Sequence, residues 1–218
     1  IDGLSTDGSQ EIALRFYDAS LFSSEPDVGV YHAMNKGLAL ASGRYCYWLN
    51  SGDTFLPDCW SRLHSLLESA EGPLIACGVQ LVSSSGDEQE AKFASPAQLP
   101  HSSLNHQSLF FHTDTLKRLG GYRTRFGLTA DRELVLRLLR AGGSIHYEPL
   151  LVARYQLGGL SSDPVCLHRD HLRVSHAHGL ISTPQYAVSL LRYRLGSLWR
   201  VARFAFSLPS LFYHFLDP

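Results

Sequence analysis

The sequence predicts an α/β fold, a β-sheet flanked by helices, from three observations. Predicted strands and helices alternate along residues 1–160, which is typical of a layered α/β domain. The chain has 218 residues, enough for one large domain or two small ones with a sizeable core. Hydrophobic residues make up 44% of the chain and charged residues 18%, which excludes disordered, collagen-like and coiled-coil proteins.

Hydrophobic spacing and turn residues place the individual elements. Apolar residues recur with a helical period from Val30 to Ala41, and Gly43 suits the end of this helix. Polar caps, Pro or Gly mark the ends of further predicted helices over 9–16, 57–69, 113–119 and 130–141. Short apolar runs predict strands over 45–49, 74–82, 109–111 and 145–155. Pro149 predicts that the last strand lies at a sheet edge, and the polar stretch 83–100 predicts a loop.

Charge and cysteine content limit the function classes. Lys and Arg number 19 and Asp and Glu 20, so no overall basic charge favours nucleic-acid binding. The four cysteines are scattered without a Cys-x-x-Cys pair, which predicts reduced and mostly buried thiols in a cytosolic protein. The chain opens without an initiator Met, on residues that look like the end of a strand. We therefore expect that preceding residues are missing or were removed.

Residues 164–218 differ in composition and are predicted as a helical tail that follows a first domain over 1–163. Five arginines but no acidic residue lie between Asp170 and Asp217. Over 186–216 the basic residues alternate with apolar ones, yet no apolar run of about 20 residues could span a bilayer. The stretch predicts an amphipathic helix in the membrane interface. A helix packed on its own domain, or on a second subunit, explains the pattern equally well.

The turn over 50–53 follows a predicted strand and ends in Asp53. In open α/β sheets, ligands bind at the carboxyl ends of strands. Mg²⁺ in proteins uses one or two carboxylates and leaves its other positions to phosphate and water. Asp53 is therefore a candidate metal ligand, although an Asp that caps the next helix would give the same pattern.

Five segments, taken together, resemble glycosyltransferase family 2 in their order and spacing. They read IDGLSTDGS (1–9), SEPDVGVYHAMNKG (24–37), ASGRY (41–45) with LNSGD (49–53), NHQSLFF (105–111) and TAD (129–131). The last two are similar to segments of the polysaccharide-building members. The resemblance covers residues 1–160, without the first strand and helix of the family.

The resemblance implies a GT-A-like fold, with a nucleotide-binding mixed sheet, and an inverting glycosyltransferase. The donor would be a UDP-, GDP- or dTDP-linked sugar, and the acceptor a glycan or a polyprenyl-linked sugar. Such an enzyme would build a cell-surface polysaccharide at the cytoplasmic face of the membrane. Mg²⁺ or Mn²⁺ held by Asp53 would offset the charge of the leaving diphosphate. Asp131 matches the catalytic base, and we expect the helix N-terminus to lower its pKa.

The family motifs assign further residues to the nucleotide-sugar site. They are Asp2, Asp27, Asn35, Asn50, Asp53, His106 and Gln107. Asn50 stands where many members have an acidic residue, so one carboxylate of the usual pair remains. His106 and Gln107 would contact the acceptor or the diphosphate. For Asp27, Asn35 and His106, a purely structural role fits the sequence as well.

Two other function classes stay open at this point. A sugar nucleotidyltransferase has a similar sheet and uses a metal, but the sequence lacks a Gly-rich phosphate loop followed by a basic residue. A truncated, non-catalytic domain that binds a partner or a membrane would explain the absent first strand. Retention of Asp53 and Asp131 argues against that alternative.

Overall fold

The computed structural model describes residues 1–99, 101–159 and 164–193 of the chain. The helices are α1 (Ser9–Phe16), α2 (Val30–Leu40), α3 (Trp60–Ser69), α4 (Thr113–Arg118), α5 (Ala130–Arg140) and α6 (Pro164–Ala177). The strands are β1 (Tyr45–Cys46), β2 (Thr54–Phe55), β3 (Leu74–Val82), β4 (Glu88–Phe93), β5 (Leu109–His112) and β6 (His146–Gln156). Residues 183–193 are also helical.

The six strands of the described residues form one mixed sheet in the order β1-β5-β3-β6-β2. Strand β6 runs parallel to β3, and the other neighbours pair antiparallel. Strand β3 also pairs with β4, through the residues that follow its shorter pairing with β5. Strand β3 is therefore bonded along both sides and forms the centre of the sheet. This arrangement confirms the predicted α/β fold with a mixed sheet.

The core consists of two apolar clusters, one on each face of the sheet. Successive side chains of a strand point to opposite faces. Accordingly, Leu74 and Ala76 join one cluster with α2, α4 and α5, while Ile75 and Cys77 join the other with α3. Three of the four cysteines, Cys46, Cys59 and Cys77, are buried, as the sequence predicts.

The predicted edge position of the last strand is wrong. Strand β6 lies between β3 and β2, and its second side is paired at Ala153 and Arg154. The register with β3 shifts between the pairs Ala76–Tyr147 and Gly78–Leu151. Pro149 falls in this interruption, where its missing N–H costs no ladder hydrogen bond.

The prediction of a loop over 83–100 is also wrong, because β4 occupies Glu88–Phe93. None of its side chains is fully buried, so the strand has no apolar side to give a period in the sequence. Backbone pairing with β3 forms it instead. The predicted strand over 45–49 is likewise shortened to the two residues of β1.

Helix α6 packs against the turn that precedes α5. The Asp170 carboxylate, 1% exposed, accepts a hydrogen bond from the Leu128 N–H at 3.0 Å. Arg169 Nε donates to the same carboxylate at 3.0 Å. Gly127 has a φ of 57°, and a Cβ there would overlap the Asp170 carboxylate, so the contact requires glycine. The first part of the predicted tail thus packs on the sheet domain.

Among the described residues, no helix is long and apolar enough to cross a bilayer. The predicted amphipathic segment over 186–216 lies outside the described residues from 194 onward.

Replacing Asp170 with Asn should lower the free energy of unfolding by about 1–3 kcal/mol, because the part-buried Leu128 N–H and the partly exposed Arg169 guanidinium lose the charge of their acceptor. Urea denaturation checks this. The exposed Asp114 of α4 is the matched control, and Asp114→Asn should change stability by less than about 0.5 kcal/mol. Equal midpoints for both variants would contradict the anchoring role of Asp170.

Candidate active site

A cleft of about 870 Å³ opens beside the carboxyl end of β1. Its walls come from the turn after β1, the 3₁₀ turn His106–Ser108, the end of β4 and the starts of α2, α5 and α6. Five of the residues predicted for the site line it. They are Asn50, Asp53, His106, Gln107 and Asp131. The fold therefore gathers the second half of the predicted set into one cleft.

The Asp53 carboxylate is fixed by two hydrogen bonds from distant parts of the chain. Its Oδ1 accepts from the Gln156 N–H at 2.9 Å, and its Oδ2 accepts from Gln107 Nε2 at 2.7 Å. The turn itself closes through the Asp53 N–H to the Asn50 carbonyl, with Gly52 at a φ of 91°. Burial raises the pKa of Asp53, and the two hydrogen bonds oppose that shift.

A row of polar groups runs from this turn to the start of α5. Asn50 Nδ2 lies 2.7 Å from His106 Nε2, and His106 Nδ1 lies 3.9 Å from Asp131 Oδ2. Burial lowers the pKa of His106 to about 4, so the imidazole is neutral at physiological pH. The row therefore contains one carboxylate and two neutral hydrogen-bonding groups.

Asp131 is a buried carboxyl group, 7% exposed, in the first turn of α5. The expectation that the helix N-terminus lowers its pKa is wrong. Burial raises the pKa to about 6, and the Arg132 N–H and the Tyr31 hydroxyl offset only part of this shift. A carboxylate with this pKa is mostly ionised at neutral pH but holds a proton more readily than an ordinary Asp. These are the properties of a general base.

The neighbouring acid, Glu133, has a different environment. It is fully buried and forms ion pairs with Arg123 at 3.1 Å and Arg137 at 3.0 Å. Both carboxylate oxygens are thus engaged by guanidinium groups of the protein. Glu133 ties α5 to the preceding turn and does not line the cleft.

Asp2, a residue predicted to bind the nucleotide, lies outside the residues that line the cleft. Its carboxylate accepts hydrogen bonds from the Ser24 hydroxyl at 2.6 Å and from the Ser5 and Leu4 N–H groups at 3.0 Å. These bonds, that from Ser24 first, lower its pKa to about 2. In this structure Asp2 holds the turn at the start of the chain, and its role toward a nucleotide stays a prediction.

Asp27 and Asn35 are also engaged by the protein itself. The Asp27 carboxylate accepts from the Gly29 N–H at 2.9 Å and fills the space beside Gly3 that a side chain there would need. The Asn35 amide exchanges two hydrogen bonds of 2.8 Å with the backbone of Tyr122. Neither lines the cleft, so their predicted contacts with a nucleotide also stay predictions.

Sequence reasoning missed the wall that α6 contributes. Leu167 and His171 of this helix line the cleft opposite the turn after β1. The Arg132 guanidinium, next to Asp131, donates to the His171 carbonyl at 3.2 Å and to the Ser175 hydroxyl at 2.9 Å. No motif marks these residues, since they belong to the cleft only because α6 packs on α5.

Asp53 suits a divalent cation as a single ligand. Among the described residues, no group of three His, Cys, Asp or Glu side chains could hold a metal ion. Each Asp53 oxygen accepts one hydrogen bond and keeps a lone pair. A cation here would take one protein carboxylate and fill its other positions with phosphate and water, as Mg²⁺ commonly does.

Comparison with known proteins assigns the fold and then the family. TarS 1-349 of S. aureus in complex with UDP-GlcNAc superposes with a TM-score of 0.59, at 14% identity over 94% of this chain and 62% of that one. A mannosyltransferase from Pyrobaculum calidifontis in complex with GDP-Man and Mn²⁺ gives 0.58, at 16% identity over 96% of this chain and 66% of that one. The fold is therefore the GT-A fold of nucleotide-sugar enzymes.

The sequence comparisons are more specific. The family model described as glycosyl transferase family 2 matches residues 1–128, more than half of the chain. An uncharacterized glycosyltransferase of Mycobacterium tuberculosis is 34% identical over 53% of this chain and 46% of its own length. A PGL/p-HBAD biosynthesis glycosyltransferase of the same species is 27% identical over 74% of this chain and 66% of its own. The chain belongs to glycosyltransferase family 2, and it spans about half the length of the first of these relatives.

Replacing Asp131 with Asn should stabilise the fold at neutral pH. The carboxyl has a pKa of about 6 in the folded protein, against 3.8 for an ordinary Asp. Its protonated form is favoured by folding, so this stabilisation is complete below pH 3.8 and is lost as the pH rises through 6. The uncharged Asn avoids that loss, and should raise the free energy of unfolding at pH 7.5 by up to about 3 kcal/mol.

Urea denaturation of both proteins at pH 7.5 and pH 4 measures this difference. The advantage of Asp131→Asn should shrink at the lower pH. Asp114→Asn, an exposed substitution, should show no such pH dependence. An Asn variant that is less stable than the wild type at pH 7.5 would show that the Asp131 carboxylate is not desolvated.

Proposed function

We propose that the protein transfers a sugar from a nucleotide-sugar donor to an acceptor hydroxyl, with inversion at the anomeric carbon. The observation that carries the proposal is that two carboxylates, those of Asp53 and Asp131, line the same cleft. Asp131 has the burial and raised pKa of a base, and Asp53 lies beside Asn50 at the carboxyl end of a strand. Membership of glycosyltransferase family 2 supports the reaction class.

The reaction is a single displacement. The acceptor hydroxyl gives its proton to Asp131, and its oxygen forms a bond to the anomeric carbon. The bond from that carbon to the diphosphate oxygen breaks, and its electron pair leaves with the nucleoside diphosphate. Attack from the face opposite the leaving group inverts the configuration. The buried carboxylate contributes because a base with a pKa near the working pH takes a proton efficiently.

The donor's diphosphate belongs at the Asn50–Asp53 end of the cleft. When bound at Asp53, Mg²⁺ or Mn²⁺ would supply positive charge that offsets the charge growing on the diphosphate. The hydrogen bonds from Gln107 and the Gln156 N–H hold the carboxylate in place for that purpose. Structural neighbours in complex with UDP-GlcNAc, with UDP and with GDP-Man and Mn²⁺ support a nucleotide-sugar donor.

The acceptor is a glycan or a lipid-linked sugar used to build a cell-surface glycan or glycolipid. Relatives named for PGL/p-HBAD biosynthesis support this acceptor class. Under this proposal the enzyme acts in the cytoplasm at the inner face of the membrane, and residues 186–216 contact the lipid. The family assignment disfavours a sugar nucleotidyltransferase. Binding without turnover would identify the non-catalytic alternative.

Donor binding tests the first half of the proposal. In calorimetric titrations with UDP, GDP and dTDP, one nucleotide should bind in the micromolar range, and more tightly when Mn²⁺ is present. Asp53→Asn should weaken the Mn²⁺-dependent binding by about tenfold or more, since it removes the charged ligand. Asp58→Asn, an exposed substitution nearby in sequence, serves as the control. Failure of the folded chain to bind any of the three would refute a donor site here.

Turnover tests the second half. Asp131→Asn should lower the release of nucleoside diphosphate from the matching donor by about 10²–10⁴-fold and leave the affinity for the nucleotide within about twofold. Wild-type turnover should fall as the pH drops through about 6, because Asp131 becomes protonated. Tyr31, Tyr122, His106 and Arg132 surround this carboxyl, and none of them titrates in that range in the folded protein. Undiminished turnover in Asp131→Asn would assign the base elsewhere.

A further inference from the structure

The distance between His106 and Asp131 allows one hydroxyl group to form hydrogen bonds with both side chains. His106 Nδ1 and Asp131 Oδ2 are 3.9 Å apart, too far for a direct hydrogen bond. One oxygen atom can nevertheless lie about 2.8 Å from both, within hydrogen-bonding distance of each. Both residues line the cleft, so this position lies at the cleft wall.

Asn50 determines which imidazole nitrogen carries the proton. Its Nδ2 is 2.7 Å from His106 Nε2, and an amide nitrogen only donates. With the amide in this orientation, Nε2 accepts and the single proton of the neutral ring resides on Nδ1. Burial, which lowers the pKa of His106, keeps the ring in this neutral form. Nδ1, which lies 3.9 Å from Asp131 Oδ2, is then the donor of the ring.

The two oxygens of Asp131 are not equivalent. Oδ1 accepts a hydrogen bond of 2.7 Å from the Arg132 N–H. Oδ2 is the oxygen that lies 3.9 Å from His106 Nδ1, and the Tyr31 hydroxyl also interacts with this carboxyl group. A hydroxyl between the two side chains would donate to Oδ2 and accept from Nδ1–H. Its remaining lone pair would be free to attack.

We propose that His106 positions the acceptor hydroxyl, through an Nδ1–H group that Asn50 orients, against Oδ2 of Asp131. This inference rests on the proposed function, because it assigns an acceptor to the cleft. It gives His106 a place on the acceptor side and not at the diphosphate. Asn50 acts through His106 and is a positioning residue.

The first test reads the tautomer directly and needs no substrate. Long-range ¹H–¹⁵N correlation spectra of the ¹⁵N-labelled full chain, compared with His106→Gln for assignment, report which ring nitrogen bears the proton. We expect the Nδ1–H form in the wild type. We expect that form to lose its preference in Asn50→Ala, because the donor to Nε2 is gone. A wild-type ring protonated on Nε2 would overturn the proposal, whatever the enzyme's activity.

The second test compares two amides that each replace one ring nitrogen. Asn at position 106 places an amide near the former Nδ1, facing Asp131, whereas Gln reaches the former Nε2, facing Asn50. With water as the nucleophile, hydrolysis of the donor identified by titration should be about tenfold faster in His106→Asn than in His106→Gln or His106→Ala. The affinity for the nucleoside diphosphate should be the same in all three.

The outcomes separate the two proposals. Equal hydrolysis by the Asn and Gln variants would overturn the role of His106 and leave the glycosyltransferase proposal intact. A parallel loss of nucleotide affinity in all variants would place His106 at the diphosphate instead. Absence of nucleotide binding in the wild type would refute the proposed function itself. Thermal unfolding of each variant checks that the fold is retained.

Discussion

The Asp53 carboxylate is the junction on which the geometry of the cleft depends. Its oxygens accept hydrogen bonds from the Gln156 N–H at the end of β6 and from the Gln107 side chain. The backbone N–H of Asp53 closes the turn after β1. These segments are far apart in the chain, and their hydrogen bonds fix them against one another. Because Gln107 follows His106 directly, the hydrogen bond from Gln107 to Asp53 also fixes the position of the imidazole relative to Asp131. The proposed donor site and the proposed proton acceptor thus depend on the same hydrogen bonds.

Burial away from water determines the pKa values of Asp131 and His106, the two groups at the centre of the cleft. Burial raises the pKa of Asp131 to about 6 and lowers that of His106 to about 4, so both shifts favour the uncharged form. Asp2 shows the contrast, since serine hydrogen bonds lower its pKa to about 2. Two aspartates of one chain therefore differ by about four pKa units, and their surroundings alone account for it.

The sequence sufficed for elements that a continuous apolar run, or cap and turn residues at both ends, define. Strand β3 and helix α1 occur over the predicted residues, and α5 differs from its prediction by one residue. Strand β4 could not be found this way, because backbone pairing alone defines it. Pro149 was misread for a related reason. Its effect depends on a register shift that only the assembled sheet contains.

The same distinction holds for the site. Asp53, His106, Gln107 and Asp131 could be located because each sits in a short local motif beside a strand or at the start of a helix. The wall formed by α6 could not, since Leu167 reaches the cleft through tertiary packing. Local motifs also suggested Asp2, Asp27 and Asn35, whose side chains the fold uses for its own turns.

Arg132 makes assembly of the cleft a cooperative event. Arg132 follows Asp131 directly and is 1% exposed. Its guanidinium donates hydrogen bonds to a carbonyl and a hydroxyl of α6. If α6 unfolded locally, these hydrogen bonds would break and water would enter beside Asp131. The carboxyl would then regain an ordinary proton affinity. The raised proton affinity of Asp131 consequently persists only while α6 is in place, and local opening of this one helix is enough to remove it.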